Sequence, residues 1–162
     1  AAIGVNLVSS KAEAEIADNS AIKAGGKLIV QALKATDAGV DADGRSVGES
    51  TNGVGAAVAI NKVTSEHRAA VGNNAKASAQ DGMTIEAKMA EGSKKNDFEV
   101  EAVSGAGKGT VGVAGSFAMN NSQSGAIATI DEGAIVDGGG ADVAIHAQNL
   151  TNLTGDAKAT LE

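Results

Sequence analysis

A self-similarity of long period constrains this chain more than any single motif, because a repeated sequence folds into a repeated structure. Asn6, Asn61 and Asn120 recur at offsets of 55 and 59, and the same offsets carry Ile16 onto Val71 and Ile130, and Ala14 onto Ala69 and Ala128. Residues 28–32 fall on 83–87 at offset 55, and 143–147 continue the block at offset 60. A small-residue run precedes each Asn, and a glycine turn precedes each later block (Gly25-Gly26, Asp81-Gly82, Gly138-Gly139-Gly140). The chain therefore reads as just under three copies of a super-repeat whose period is 55–60. The copies cover approximately 1–52, 53–110 and 111–162, within one structural unit spanning 1–162.

Inside the repeat the apolar period is two, which is the signature of a half-buried strand. Met83-Thr84-Ile85-Glu86-Ala87-Lys88-Met89 alternates throughout, as do residues 97–102 and 142–147. The strongest helical rival, residues 10–18, has Ala, Glu and Lys in its favour. Its counterpart in the second copy, 65–73, carries Val71, Gly72 and Asn73, and repeats share a conformation, so both read as strand. Asp18-Asn19, Asn73-Asn74, Gly92-Ser93, Asn120-Asn121-Ser122 and Gly138-Gly139-Gly140 read as turns. Residues 37–52 are the most polar stretch and are expected to form an irregular excursion between the first two copies.

Composition then selects among all-β architectures. Ala and Gly supply 55 of the 162 residues, and Trp, Tyr, Pro and Cys are absent, so neither a thick aromatic core nor a disulfide framework is available. A β-solenoid has a narrow interior that small stacked side chains can fill, and proline would interrupt its ladders. The expected fold is a right-handed parallel β-helix (β-solenoid) built from the three super-repeats. With roughly 20 residues per rung it would make about eight rungs and a rod of about 40 Å. The rival is an antiparallel β-sandwich, suggested by residues 112–119 and 125–130 flanking a polar turn at 120–124.

A small-residue run ending in Val/Ile-Asn, then Ala-x-Val/Ile-Gly/Asp-x-x-Ala, then Gly followed by alternating Val/Ile, is a composite pattern. It stands in the third copy as Phe117-Ala118-Met119-Asn120, residues 128–134 and residues 140–147. It resembles the repeat region of very large secreted bacterial exoproteins: leukotoxin-like and filamentous-haemagglutinin-like proteins and autotransporter adhesins. The likeness spans nearly the whole chain, although 37–52 and 92–110 depart from it. It implies a parallel β-helix, secretion or surface display, and host-facing roles such as adhesion, toxicity or virulence. It brings no catalytic residue with it.

Each local motif has a bland competitor. Gly105-Ala106-Gly107-Lys108-Gly109-Thr110 is similar to the phosphate loop of adenylate kinases, but Ala102 stands where an earlier Gly belongs. The stretch after it alternates and is no helix, so a Gly-rich turn between strands is the better reading. An EF-hand through Asp41 and Asp43 would place Gly39 and Ser50 where carboxylates belong. That leaves a loose calcium site of Asp37, Asp41 and Asp43 against a solvated acidic loop. Gly138–Gly140 with Asp142 matches the calcium-binding nonapeptide only superficially, because Ala141 replaces its Gly. His67 aligns with Ala12 and Ala126, and His146 with Gln31 and Glu86, at positions read as alternating outward, without a third ligand. No Gly-x-Ser-x-Gly elbow occurs. Asp41, Asp43, Glu99 and Glu101 are the carboxylates a β-helix carbohydrate enzyme would use. Glu99 and Glu101 stand about 7 Å apart on one strand face, a spacing equally natural for a solvated acidic face. The sequons at Asn120, Asn149 and Asn152 matter only in a glycosylating cell.

These readings assign no catalytic, metal or cofactor-binding residue and no cofactor. Two Arg, eleven Lys and a net charge of −7 leave no basic stripe for nucleic acid, and no apolar run is long enough for membrane insertion. The expectation is a non-enzymatic structural or adhesive segment of a large exported bacterial surface or secreted protein, in contact with a host-cell surface protein or glycan. The alternatives are the host-cell-binding part of a leukotoxin-like cytolysin and, far behind, a carbohydrate-active β-helix. The chain opens at Ala1 without Met, and apolar alternation runs to both ends. It is expected to continue into flanking rungs of a parent chain, and in isolation to associate end to end. Leu161-Glu162 reads equally as native or as a cloning remnant.

Overall fold

The computed structural model describes residues 1–46, 52–107 and 109–161. Ser50, Lys108 and Glu162, weighed above, lie outside them. The described residues form twelve strands and no helix: β1 (Ala2–Ile16), β2 (Ala21–Ala24), β3 (Leu28–Lys34), β4 (Asp37–Arg45), β5 (Asn52–Val71), β6 (Lys76–Ala79), β7 (Met83–Met89), β8 (Asn96–Ala106), β9 (Val111–Ile130), β10 (Ile135–Asp137), β11 (Val143–Ala147) and β12 (Thr151–Leu161). Four consecutive strands make one turn of the chain, and corresponding strands of the three turns pair in parallel. The broad sheet is β1-β5-β9, a corner sheet is β2-β6-β10, and the return path is β3-β7-β11 followed by β4-β8-β12. The chain is a parallel β-solenoid.

The register is the one the repeat offsets give. Asn6 pairs with Asn61 and Asn61 with Asn120, and Ile16, Val71 and Ile130 stack in one column. Leu28 pairs with Met83, which pairs with Val143. The rung length is corrected: each super-repeat is one rung, not three. The reason is strand length. β5 and β9 run for 20 residues each, about 65 Å at roughly 3.3 Å per residue, and each needs two return strands and a corner to close a turn. Three rungs at roughly 4.8 Å make a thin, wide slab and not a rod.

Two further expectations change. The antiparallel alternative falls, and the turn expected at 120–122 with it, because β9 passes unbroken through residues 120–124, each of them paired in parallel with β5. The excursion at 37–52 is largely strand β4, paired from Asp37 to Arg45 with β8. The two stretches that depart from the repeat pattern, 37–52 and 92–110, thus meet in one sheet, and β12 completes it. Residues 10–16 are strand, as the repeat argument requires.

The interior is a wedge. At its wide end Ile16, Val30, Val71, Ala77, Met83 and Ile85 pack between the broad, corner and return sheets. Phe98, Val63 and Ala38 fill the middle, and Ala57, Ala59, Val100 and Ala102 the thinner part beyond. At the narrow end the facing backbones touch. A Cβ on Gly55 would lie 2.9 Å from the Gly105 nitrogen, and one on Gly4 would lie 2.8 Å from Val40 Cγ2. Only hydrogen fits inside there. At the opposite corner the turn residues Asn19, Asn74 and Gly133 occupy the same place in the three rungs, with φ of 56°, 56° and 70°. Gly and Asn adopt this left-handed conformation at least cost.

Candidate functional site

Two features set this solenoid apart from a plain apolar stack: a polar column inside it and an apolar face outside it. The inner column is Asn6–Asn61–Asn120. Asn6 Nδ2 donates to Asn61 Oδ1 at 3.2 Å, and Asn61 Nδ2 to Asn120 Oδ1 at 3.4 Å. Each amide also crosses to backbone carbonyls of the facing sheet. Asn6 donates to Gly39, Asn61 to Ala38 and Glu99, and Asn120 to Phe98 and Thr154. Asn61 is fully buried, and burial without those bonds would be costly. A second polar group joins Ser65 to Thr36, Asn96 to Ser124 and Asn149, and Ser124 to Asn149. Both groups tie the broad sheet to its return path.

The outer face follows from the wedge. Where inward positions must be Gly or Ala, the larger apolar residues of the same strands point outward. Ile3, Val5 and Leu7 of β1, Val54 of β5, and Val111, Val113, Phe117 and Met119 of β9 are exposed large apolar side chains, with Ile3 at 78% and Phe117 at 52%. Register stacks Ile3, Val58 and Phe117 in one column and Val5, Ile60 and Met119 in the next. Toward the wide end the same face turns charged. Arg68 reaches Glu15 at 3.2 Å in the first rung and Asp131 at 2.7 Å in the third, so one guanidinium spans all three rungs. A contiguous exposed apolar patch of this kind marks an interaction surface. Sequence reading misses it because alternation of large apolar with small apolar residues looks like a core strand from either side.

The residues singled out from sequence are placed as follows. Asp37, Asp41 and Asp43 lie on strand β4 and not in a loop. Asp43 is bound by Arg45, whose hydrogen bonds hold its carboxyl below the usual range. Asp41 stacks on Glu101, which stacks on Asp156, and Glu99 borders the same shallow depression with Gly39 and Val40. The sheet thus brings Asp41, Glu99 and Glu101 together on an open face, with Asp43 one position along. Lys158 bridges Asp156 at 2.5 Å and Glu101 at 3.5 Å. Asp97 is held below its usual range by a hydrogen bond from Asn152 and by Lys95. Among the described residues, no group of three His, Cys, Asp or Glu side chains is placed to hold a metal ion.

Gly105 and Ala106 end β8 and strand β9 begins at Val111, so the stretch resembling a phosphate loop joins two strands, with no helix behind it. Gly138, Gly139 and Gly140 form the turn between β10 and β11. His146 is exposed beside Glu86 and Gln31, as expected. His67 is corrected. It points inward, is 1% exposed, and its Nε2 lies 2.9 Å from the Gln148 carbonyl oxygen. Its register neighbours Ala12 and Ala126 are small, which leaves room for the ring. Asn120 and Asn149 of the sequons are engaged in the inner polar groups.

Comparison with protein-family models, with curated proteins and with solved structures finds no match. No helix among the described residues is long and apolar enough to cross a membrane.

Proposed function

We propose that the chain is a non-enzymatic structural and adhesive segment of a large exported bacterial surface or secreted protein, which displays its broad sheet for host-cell contact. The observation that carries this reading is the exposed apolar ladder of Ile3, Val5, Leu7, Val54, Val111, Val113, Phe117 and Met119 on a rigid three-rung sheet. Strands hydrogen-bonded along their whole length hold these side chains at fixed spacings, and a preorganised apolar surface loses little freedom on binding. Phe98 is buried and Phe117 is the other aromatic residue, so the face offers apolar bulk and not the ring platforms that sugars stack on. A host-cell surface protein fits it better than a glycan.

The test is binding of labelled chain to cultured host cells over a micromolar range, alongside a Val113→Ser/Phe117→Ser/Met119→Ser variant. All three side chains point away from the interior, so the variant keeps its fold by circular dichroism. Saturable binding that the variant loses is the expected result. Binding unchanged in the variant would remove the role of this face, and absence of binding by the parent chain would remove the adhesive role.

A further inference from the structure

The two ends of the solenoid are complementary to each other, and we infer that the chain binds a second copy of itself head to tail, third rung on first. Strands β1–β4 pair on one side with the second rung and carry an unpaired ladder on the other; β9–β12 do the same at the opposite end. Such edges are templates for strand addition unless proline, bulges or charge block them, and the chain has no proline.

The asparagine column gives the contact its direction. Asn61, with neighbours on both sides, donates to a facing carbonyl in the preceding rung (Ala38), to one in its own rung (Glu99), and to the next asparagine. Asn6 makes the second and third of these bonds and lacks the first; Asn120 makes the first and second and lacks the third. A copy stacked in the internal register supplies both missing partners. Asn120 meets Asn6 Oδ1 of the next copy, whose Asn6 amide meets the Leu153 carbonyl, the third-rung equivalent of Ala38 and Phe98. A head-to-head or tail-to-tail contact supplies neither.

The same register is compatible along every sheet. The broad sheet aligns residues 116–130 with 2–16, placing Ser122 on Val8, Ala128 on Ala14 and Ile130 on Ile16. Val143 and Ile145, which lie in core columns yet are 39% and 46% exposed, fall on Leu28 and Val30. Asp137 falls on Lys23, and Lys158 on Asp43, both opposite charges. The one like pair is Asp156 with Asp41, and Lys158 already neutralises Asp156 at 2.5 Å. Because the contact joins unlike faces by translation, it does not close on itself and generates open stacks. This inference stands apart from the cell-contact reading, which uses the outer face and not the ends.

Sedimentation velocity on a dilution series of the chain tests it. The expected result is a weight-average mass that climbs with concentration beyond twice that of the chain. Two variants fix the direction: Leu153→Lys places a charge on the third-rung end, and Asn6→Lys places one on the first-rung end. Each alone is expected to be monomeric, and a mixture of the two is expected to stop at a heterodimer through the unaltered ends. A wild-type chain that stays monomeric throughout, or one that stops at a dimer, overturns the inference. So does either variant dimerising alone. If a variant loses its β-sheet circular dichroism, the wild-type series decides by itself.

Discussion

The two halves of the broad sheet share strands, register and hydrogen bonding, yet invert the rule for which side chains face solvent. In the narrow half Gly53, Gly55, Ala57 and Ala59 point inward while Val54, Val58, Phe117 and Met119 point outward. In the wide half Val63, His67 and Val71 point inward while Lys62, Glu66 and Arg68 point outward. The difference is the distance to the facing sheet. Where backbones touch, no side chain fits between them, and the β-branched and aromatic residues that suit strands sit on the only face left. Outer hydrophobicity in this fold is therefore a consequence of a thin interior, and it leaves an apolar surface free for partners.

The comparison is broken or sharpened most strongly by its two phenylalanines. Phe98 is fully buried at the junction of the halves, so Phe98→Ala is expected to cost about 3–5 kcal/mol in urea unfolding. Phe117→Ser, with an outward side chain, is the opposite limit discussed last. In the narrow half, Gly55→Ala drives a Cβ against the Gly105 backbone and is expected to cost about 3 kcal/mol as overpacking. A neutral result would mean that the sheets are not in contact there. Asn61→Ala leaves the Asn120 oxygen and two carbonyls without their donor and is expected to cost about 2 kcal/mol.

A smaller effect reads the wide half. Burial lowers the pKa of Lys34 from 10.5, only partly opposed by Glu66. Between that lowered value and the ordinary one the unfolded chain holds a proton that the folded chain has released, so stability rises with pH in that window. Lys34→Met copies Met89, its register neighbour. The variant is expected to abolish the alkaline rise in melting temperature and to gain stability at neutral pH. The smallest effect expected is that of Phe117→Ser, within about 0.5 kcal/mol. A cost near that of Phe98→Ala would show that the narrow half has its large residues inside after all.

Much of this fold is legible in the amino-acid sequence. The repeat offsets of 55, 59 and 60 are the strand register itself, because identical columns stack only when equivalent residues align. The polar run at Asn120 is harder. Inside an apolar stretch it reads as a turn, and only the crossing hydrogen bonds of Asn120 to Phe98 and Thr154 make it strand interior. His67 is misread for a related reason: polarity suggests solvent, while the alternation of β5 and two small neighbours put it inside. The acidic residues stand out in the sequence, but their assembly into one face does not. Asp41 and Glu101 belong to different rungs and meet only through the β4–β8 ladder.

Sequence by itself determined the secondary structure class, the parallel register and the corner turns, since these follow from local period, repeat offset and the left-handed tolerance of Asn and Gly. Only the tertiary structure decided how many strands make a rung, how thick the interior is and which side of each strand is covered. Alternation says that two faces differ; it does not say which faces the interior when both are apolar. That choice depends on the spacing between a broad strand such as β1 or β5 and the return strand β4 or β8 that faces it, and this spacing is set when the coil closes and carried by no local stretch of sequence.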